Sequence, residues 1–348
     1  MIDDKCYAYG FSLKINKKEI CGEWLYDITT SNEKCIFERD LENETYKENV
    51  KFNDTNNRKR FSFYYEDVSS NKELLFLSEL NRFSDDSYYE KNELMELRNI
   101  YKWFLTNLKI NNTLKTISDF QYMLSDDNEF NDKIVKLLDI FDTSIVDFNL
   151  VKISEEEALK EISIESLERV KDTIIKLDNK VNKALIRGKH QFYEIYLDKD
   201  ENIEIKVLKF KHENQDSDFY ISEESDGTRK LIYLIEILLN SESKTFVIDE
   251  IDMGLHPNLT YKFVELFLEF AKDKEVQLIV TTHEDRLLDL NLLRRDEIWF
   301  VQKNEKGESD LYSLENYGPR FDSKIVKAYL EGRYKAIPNF KDIESNNL

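Results

Sequence analysis

The chain has 348 residues, 41% of them apolar, and carries 50 basic against 70 acidic side chains for a formal net charge of -20. That apolar share excludes a disordered chain, and the length holds one large domain or two ordinary ones around a real core. The acidity excludes a general nucleic-acid-binding surface, so any such contact is local.

The first stretch reads as strands: "CYAYGFSLKI" (6–15), "EWLYDIT" (23–29) and "KCIFERD" (34–40), rich in aromatic and β-branched residues, with a hairpin turn at "NKKE" (16–19). Residues 41–72 are polar, include "NRKR" (57–60), and read as a variable connection. Helical spacing follows in "KELLFLSELNRF" (72–83) and "KNELMELRNIYKWFLTNL" (91–108), where Leu94, Leu97, Tyr101, Phe104, Leu105 and Leu108 share one face. Helix is also expected over 127–142 and 163–185, and the glutamate-rich run 154–169 reads as a solvated helix face. Two strands, "QFYEIYLD" (191–198) and "NIEIKVLKF" (202–210), precede a change of pattern.

From about 225 the order becomes helix, strand, helix, strand: "TRKLIYLIEILLN" (228–240), "KTFVID" (244–249), "NLTYKFVELFLEFAKD" (258–273) and "VQLIVTTH" (276–283), with "DEIWFVQK" (296–303) as a third strand. The helix 228–240 is apolar nearly all round, which predicts burial, and the short apolar strands fit a parallel sheet covered on both faces. This is α/β organisation, with function expected at the carboxyl ends of the strands. The expected division is a β-rich part at 1–60 and a C-terminal lobe at 215–348 packed together, with 61–214 as an inserted helical or mixed arm.

Cys6, Cys21 and Cys35 match no zinc or CxxC spacing, and their odd number suits a reducing compartment. The opening MIDDKCYAYG lacks the regions of a signal peptide, and the longest apolar stretch, 231–239, is too short to span a bilayer. A cytoplasmic protein with no membrane partner is expected.

Three stretches carry chemistry. "TFVIDEIDMGLHP" ends an apolar strand in Asp249 and Glu250, followed by Asp252. A nucleoside triphosphate hydrolase needs one carboxylate for magnesium and a base to orient water, although a solvated loop would look the same. "SDGTRK" puts Ser225 and Gly227 just before the apolar helix, either as a cap or as an anion site for a terminal phosphate. "LIVTTHED" delivers Thr281, Thr282 and His283 to a strand end, where a parallel neighbour would bring His283 beside Asp249.

In chain order, "SDGTRK", then "TFVIDE", then "TTHED", the three stretches resemble the latter half of an ABC-type ATPase domain, in particular the SMC-like and OLD-like "AAA family ATPase" proteins of bacteria. "YAYGFSL", "EWLYDI", "IFERD", "RRDEIWFVQKNEKGESDLYSL" and "LEGRYKAIPNF" extend the resemblance over most of the chain, with 41–220 matching least. It implies an α/β, ABC-type P-loop NTPase-like nucleotide-binding domain, incomplete at its N-terminus, with an inserted mainly helical lid or arm. It further implies ATP as substrate, Mg2+ as cofactor, Asp249 as the metal carboxylate of Walker B, Glu250 as base and His283 as switch histidine. Ser225, Gly227 and Thr228 would be the signature motif facing ATP on a second subunit, and Asp252 the D-loop residue communicating across the dimer. The partner is then a second copy in a homodimer or a P-loop-containing subunit. An effector nuclease or a nucleic acid is a further partner the resemblance allows, and relatives are often tied to phage defence.

The departure from the family is the P-loop: no G-x-x-x-x-G-K-[ST] occurs, and Gly188-Lys189 is the lone Gly-Lys pair. The Q-loop is sought in "FLSELNRF" (76–83). The expectation is a truncated gene product, with a split ATPase or a degenerate copy as alternatives, inactive until a P-loop is supplied. Two other functions compete: a non-catalytic partner lending a signature face, and a magnesium-dependent nuclease using Asp249, Glu250, Asp252 and His256. The basic segment 320–335 reads as an amphipathic packing helix before it reads as a nucleic-acid contact.

Overall fold

Alternating apolar residues in the first forty positions fold as the pattern demands. In the computed structural model, which describes residues 2, 4–82, 94–111, 124, 128–176, 183–189, 191–197, 202–239, 244–318 and 325–337, strands β1 (Tyr7–Lys14), β2 (Glu19–Asp27), β3 (Lys34–Asp40) and β4 (Thr45–Glu48) form an antiparallel meander. The chain groups into two compact units, Met1–Lys109 and Ile110–Leu348.

In the first unit, Leu25 and Phe37 of the sheet are fully buried beneath three helices, α1 (Thr55–Ser69), α2 (Phe76–Leu80) and α3 (Met95–Thr106). Phe76 is the hub, with Phe37, Phe61 and Tyr65 edge-on at 5.0, 5.1 and 4.9 Å. A charged network runs through this core. Glu23, fully buried, accepts from Arg39 Nε at 2.8 Å, from the N–H groups of Phe76 and Leu77 at 2.7 and 3.1 Å, and from the Tyr9 hydroxyl at 2.9 Å. It thereby satisfies two orphan donors at the start of α2, which has no side-chain cap of its own. Arg39 reaches the carbonyls of Val68, Asn71 and Leu74, tying the end of α1 and the next loop to the sheet.

Helix α1 and strand β4 occupy the stretch read as a connection. The helical signal was present in Phe61, Tyr65 and Val68, buried at spacings of four and three, and in Asp54, which caps Asn56 N–H. Abundant polar residues around them masked it. Helix α2 is shorter than expected, because the residues before it are not helical and Leu75 is extended, with ψ 132°. Residues 91–93 of the next expected helix lie outside the described residues.

A short strand, β5 (Leu108–Asn111), lies across the division between the units. In the second unit α4 (Asn128–Ile140) leads to β6 (Ile145–Ile153), then α5 (Glu155–Ala158) and α6 (Ile164–Lys176). Strands β7 (Lys183–Arg187), β8 (Phe192–Leu197), β9 (Ile203–His212) and the two-residue β10 (Phe219–Tyr220) follow, and β6 pairs with β9 to complete a five-stranded antiparallel sheet. The segment expected to form the arm is therefore mixed, with strands as prominent as helices. β9 serves two cores: Ile205 and Val207 pack with α5 and α6, while Leu208 and Phe210 pack with α4 and the later helices. Successive strand residues face opposite sides, so the switch of parity between Val207 and Leu208 puts these cores on opposite faces. β6 was hidden from sequence because a register shift between Ile145 and Asp147 breaks its alternation. The helix expected through 185 is described over Ile164–Lys176, residues 177–182 are outside the described set, and Ala184 and Leu185 belong to β7.

The α/β part is built from α7 (Asp226–Leu239), β11 (Thr245–Ile248), α8 (Pro257–Ala271) and β12 (Gln277–Val280). β11 and β12 pair in parallel across the α8 crossover, in register from Thr245–Gln277 to Ile248–Val280. α7 is buried nearly all round, as its composition requires, with Leu231, Ile232, Leu234, Ile235, Ile237 and Leu238 inside. The expected third strand, β13 (Trp299–Lys303), instead pairs antiparallel with β14 (Ser309–Ser313) in a hairpin, leaving Trp299 and Val301 exposed. Phe300 on its inner face stacks on Tyr334 at 5.2 Å, and α9 (Ile325–Leu330) buries Ile325 and Ala328 in the same small core. That is the packing role expected of 320–335, within the part that is described.

Candidate functional site

The parallel register decides which residues meet. Ile248 and Val280 are the last paired residues, so Asp249 and Thr281 leave neighbouring strand ends together. The Thr281 hydroxyl donates to Asp249 Oδ1 at 2.5 Å and accepts the Glu250 N–H at 2.8 Å. Thr281 N–H donates to the Ile248 carbonyl, and its own carbonyl accepts from Ile251 N–H, both at 3.0 Å. One threonine thus stitches the acidic turn to the next strand. Glu250 turns through the left-handed region, φ 49°, and His283 Nε2 stands 4.0 Å from Glu250 Oε1, with the imidazole 85% exposed. Asp249, Glu250 and His283, singled out separately from sequence, therefore share one strand-end surface.

Asp252 points back into its own chain. Its Oδ1 accepts from the Thr282 hydroxyl at 2.6 Å and from His283 N–H at 3.2 Å. Burial pushes its pKa up, but the Thr282 hydroxyl and nearby backbone N–H groups outweigh that and hold the carboxyl below the usual range. His256 caps α8, its Nδ1 accepting Asn258 N–H at 3.2 Å, ahead of Pro257 in the first helical turn. That cap uses one of the two ring nitrogens. Among the described residues there is no group of three or more His, Cys, Asp or Glu side chains placed to hold a metal.

The start of α7 is organised as a cap. Ser225 Oγ accepts Thr228 N–H at 3.0 Å and lies 2.9 Å from Thr228 Oγ1, while Arg229 pairs with Asp226 and holds the carbonyls of Ser222 and Glu224. Gly227 is needed for proximity: a Cβ there would sit 3.0 Å from the Gly254 carbonyl oxygen. The capped turn and the loop after β11 are therefore in contact within the chain. Lys230 extends that contact, donating to the carbonyls of Glu250 at 2.8 Å and Met253 at 3.0 Å. Burial pushes its ammonium downward, opposed by the charges of Asp252 and Glu250. Lys230, Thr281 and Thr282 are members of the site that the sequence left without a role; all three lie in quoted motifs, but their partners lie on other elements.

A magnesium ion bound with a nucleotide takes most of its ligands from phosphates and water and needs only one or two protein carboxylates. Asp249 fits that demand, since it is exposed and only one of its oxygens is engaged by Thr281.

Residues 1–289 match the family model described as "AAA domain, putative AbiEii toxin, Type IV TA system". A Helicobacter pylori protein described as an ATP/GTP phosphatase is 24% identical over 159 residues, which is 40% of this chain and 42% of that protein, so the match spans under half of the relative's length. A solved structure from work on ATP-driven dimerization and DNA stimulated activation of SMC ATPases aligns at 17% identity over 53% of this chain and all of that one, with a TM-score of 0.28. A score of that size carries no argument about the arrangement. No described helix is long and apolar enough to cross a membrane.

Proposed function

The chain belongs to that AAA-domain family, and we propose that it is the hydrolytic half of an ABC-type ATP-hydrolysing site. The observation that carries the reading is the parallel pairing of β11 with β12, which gathers Asp249, Glu250 and His283 at adjacent strand ends. Asp249 is the residue that would hold Mg2+, which when bound neutralises charge developing on the phosphates. Glu250 takes the role of general base toward an attacking water. His283, exposed and beside it, supplies a ring nitrogen to the water or the terminal phosphate. Ser225, Gly227 and Thr228 are assigned to the signature face, which serves a nucleotide held by a second subunit. Asp252 then links that face to the strand ends through Thr282 and the backbone of His283.

The phosphate-gripping part is assigned to a P-loop outside these residues. No G-x-x-x-x-G-K-[ST] occurs in the 348 residues, and its amides and lysine supply most contacts to the β and γ phosphates. We assign that part to a P-loop segment or subunit that joins this chain. The test is ATP turnover by this chain assembled with such a partner. Glu250→Gln is expected to lower kcat by about 100-fold or more while ATP-bound assemblies accumulate. Turnover unchanged by that substitution rejects the assignment of the base.

A further inference from the structure

Glu250 is one of the few non-glycine residues in the left-handed region, with φ 49°. For an L-residue with a Cβ that conformation is disfavoured roughly five- to thirtyfold, and it persists only where surrounding contacts impose it. Both backbone polar groups of residue 250 are gripped from other elements, and its carbonyl also accepts Met253 N–H at 3.0 Å within the turn. Thr281 Oγ1, just past β12, accepts its N–H at 2.8 Å, and Lys230 Nζ, on α7, donates to its carbonyl at 2.8 Å. Each gripping group has a second anchor: the Thr281 hydroxyl donates to Asp249, and Lys230 donates to the Met253 carbonyl at 3.0 Å. The hydroxyl therefore uses its one proton on Asp249 and a lone pair on Glu250 N–H, which fixes its orientation.

We propose that Lys230 and Thr281 are positioning residues that force the Glu250 backbone into its left-handed turn and so aim its carboxylate at His283. Without the two grips, the backbone of residue 250 relaxes toward the ordinary helical or extended regions, and the carboxylate swings away from the neighbouring strand end. The lysine makes this grip from the helix that begins at the capped Ser225–Thr228 turn. A displacement of that turn therefore reaches residue 250 through a single side chain. The consequence for hydrolysis rests on the ATPase reading above; the grip itself does not.

Glycine and alanine at position 250 both remove the carboxylate, so their difference isolates the backbone. The measurement is denaturant unfolding of the full chain with Glu250→Gly and Glu250→Ala, each in three backgrounds: otherwise native, Lys230→Met and Thr281→Val. In the native background the glycine variant is expected to have a folding equilibrium constant about five- to tenfold above the alanine variant. In each of the other two the ratio falls about threefold or more, because one of the two grips on residue 250 is gone. The same ratio in all three overturns the proposal. Lys230→Arg and Thr281→Ser keep the donor and the hydroxyl and should keep the contrast; Lys230→Ala and Thr281→Ala carry the comparison if Lys230→Met or Thr281→Val fails to fold.

In an assembly that hydrolyses ATP, Lys230→Met and Thr281→Val lower kcat about tenfold or more with KM for ATP unchanged, and Lys230→Arg and Thr281→Ser recover it. A glycine–alanine contrast that Lys230→Met and Thr281→Val reduce, with no turnover in the native assembly, rejects the ATPase reading and leaves the grip standing. Turnover without the contrast does the reverse.

Discussion

Replacing Glu23 with Gln removes a charge from the most enclosed polar network in the first unit while keeping the shape of the side chain. The perturbation strikes four interactions at once: the Arg39 guanidinium, the N–H groups of Phe76 and Leu77, and the Tyr9 hydroxyl. Breaking one side of a buried ion pair costs about 3–5 kcal/mol, mostly from the charge left without its partner. Arg39 would keep the carbonyls of Val68 and Asn71, which places the expected loss near the lower limit, about 3 kcal/mol. With a urea dependence of about 1–3 kcal/mol per molar for a domain of this size, the midpoint falls by about 1–3 M. Trp24 and Trp103 belong to the first unit and Trp299 to the second, so a Trp299→Phe background makes tryptophan emission report the first unit alone. The double variant Glu23→Leu/Arg39→Met should recover about half of the loss, since the stranded charge is gone but the two amides of α2 remain unpaired. A single-variant shift under about 0.5 M, or a double variant no better than the single, refutes the reasoning.

Gly10→Ala places a Cβ 2.5 Å from the Trp24 ring across the β1–β2 pair, and is expected to cost about 1–3 kcal/mol with a shifted Trp24 emission maximum. Ser225→Ala removes the acceptor for Thr228 N–H and should lower stability by about 1 kcal/mol by denaturant unfolding, with a smaller loss for Ser225→Thr. Asp252 has its folded pKa depressed, so its contribution to stability is present above the unfolded value of about 3.9 and is lost as pH falls through the lower folded value. Asp252→Asn should therefore flatten the decline of stability below about pH 4, read from unfolding midpoints at successive pH values; an unchanged acid slope contradicts the hydrogen-bond account.

Much of the fold could be read because its cause is local. The alternation in 6–40 gave three strands of the meander, and the near-continuous apolar character of Leu231–Leu238 gave a buried helix. What failed was set at a distance. α1 sits in a polar run, and three buried residues on one face are enough only because β3, α2 and the rest of that core wait beneath them. β13 has the apolar composition of a covered strand, yet its pairing with β14 leaves one face to solvent. Composition records how apolar a segment is and does not record which neighbour covers it.

The candidate site divides along the same line. Asp249 was legible as the first residue after an apolar strand, and His283 as the third residue after another; parallel pairing then made them neighbours. The conformation of Glu250 was not legible, since nothing in Asp-Glu-Ile-Asp distinguishes a left-handed glutamate from one in an ordinary turn. Its backbone is fixed by Thr281, 31 residues away, and by Lys230, 20 residues away on the other side. A glycine at 250 would adopt the turn at little strain but would carry no carboxylate, whereas a glutamate there is strained and is held by contacts from both flanking elements. Under the proposed role of Glu250 as base, the lysine on α7 and the threonine after β12 become part of the same site.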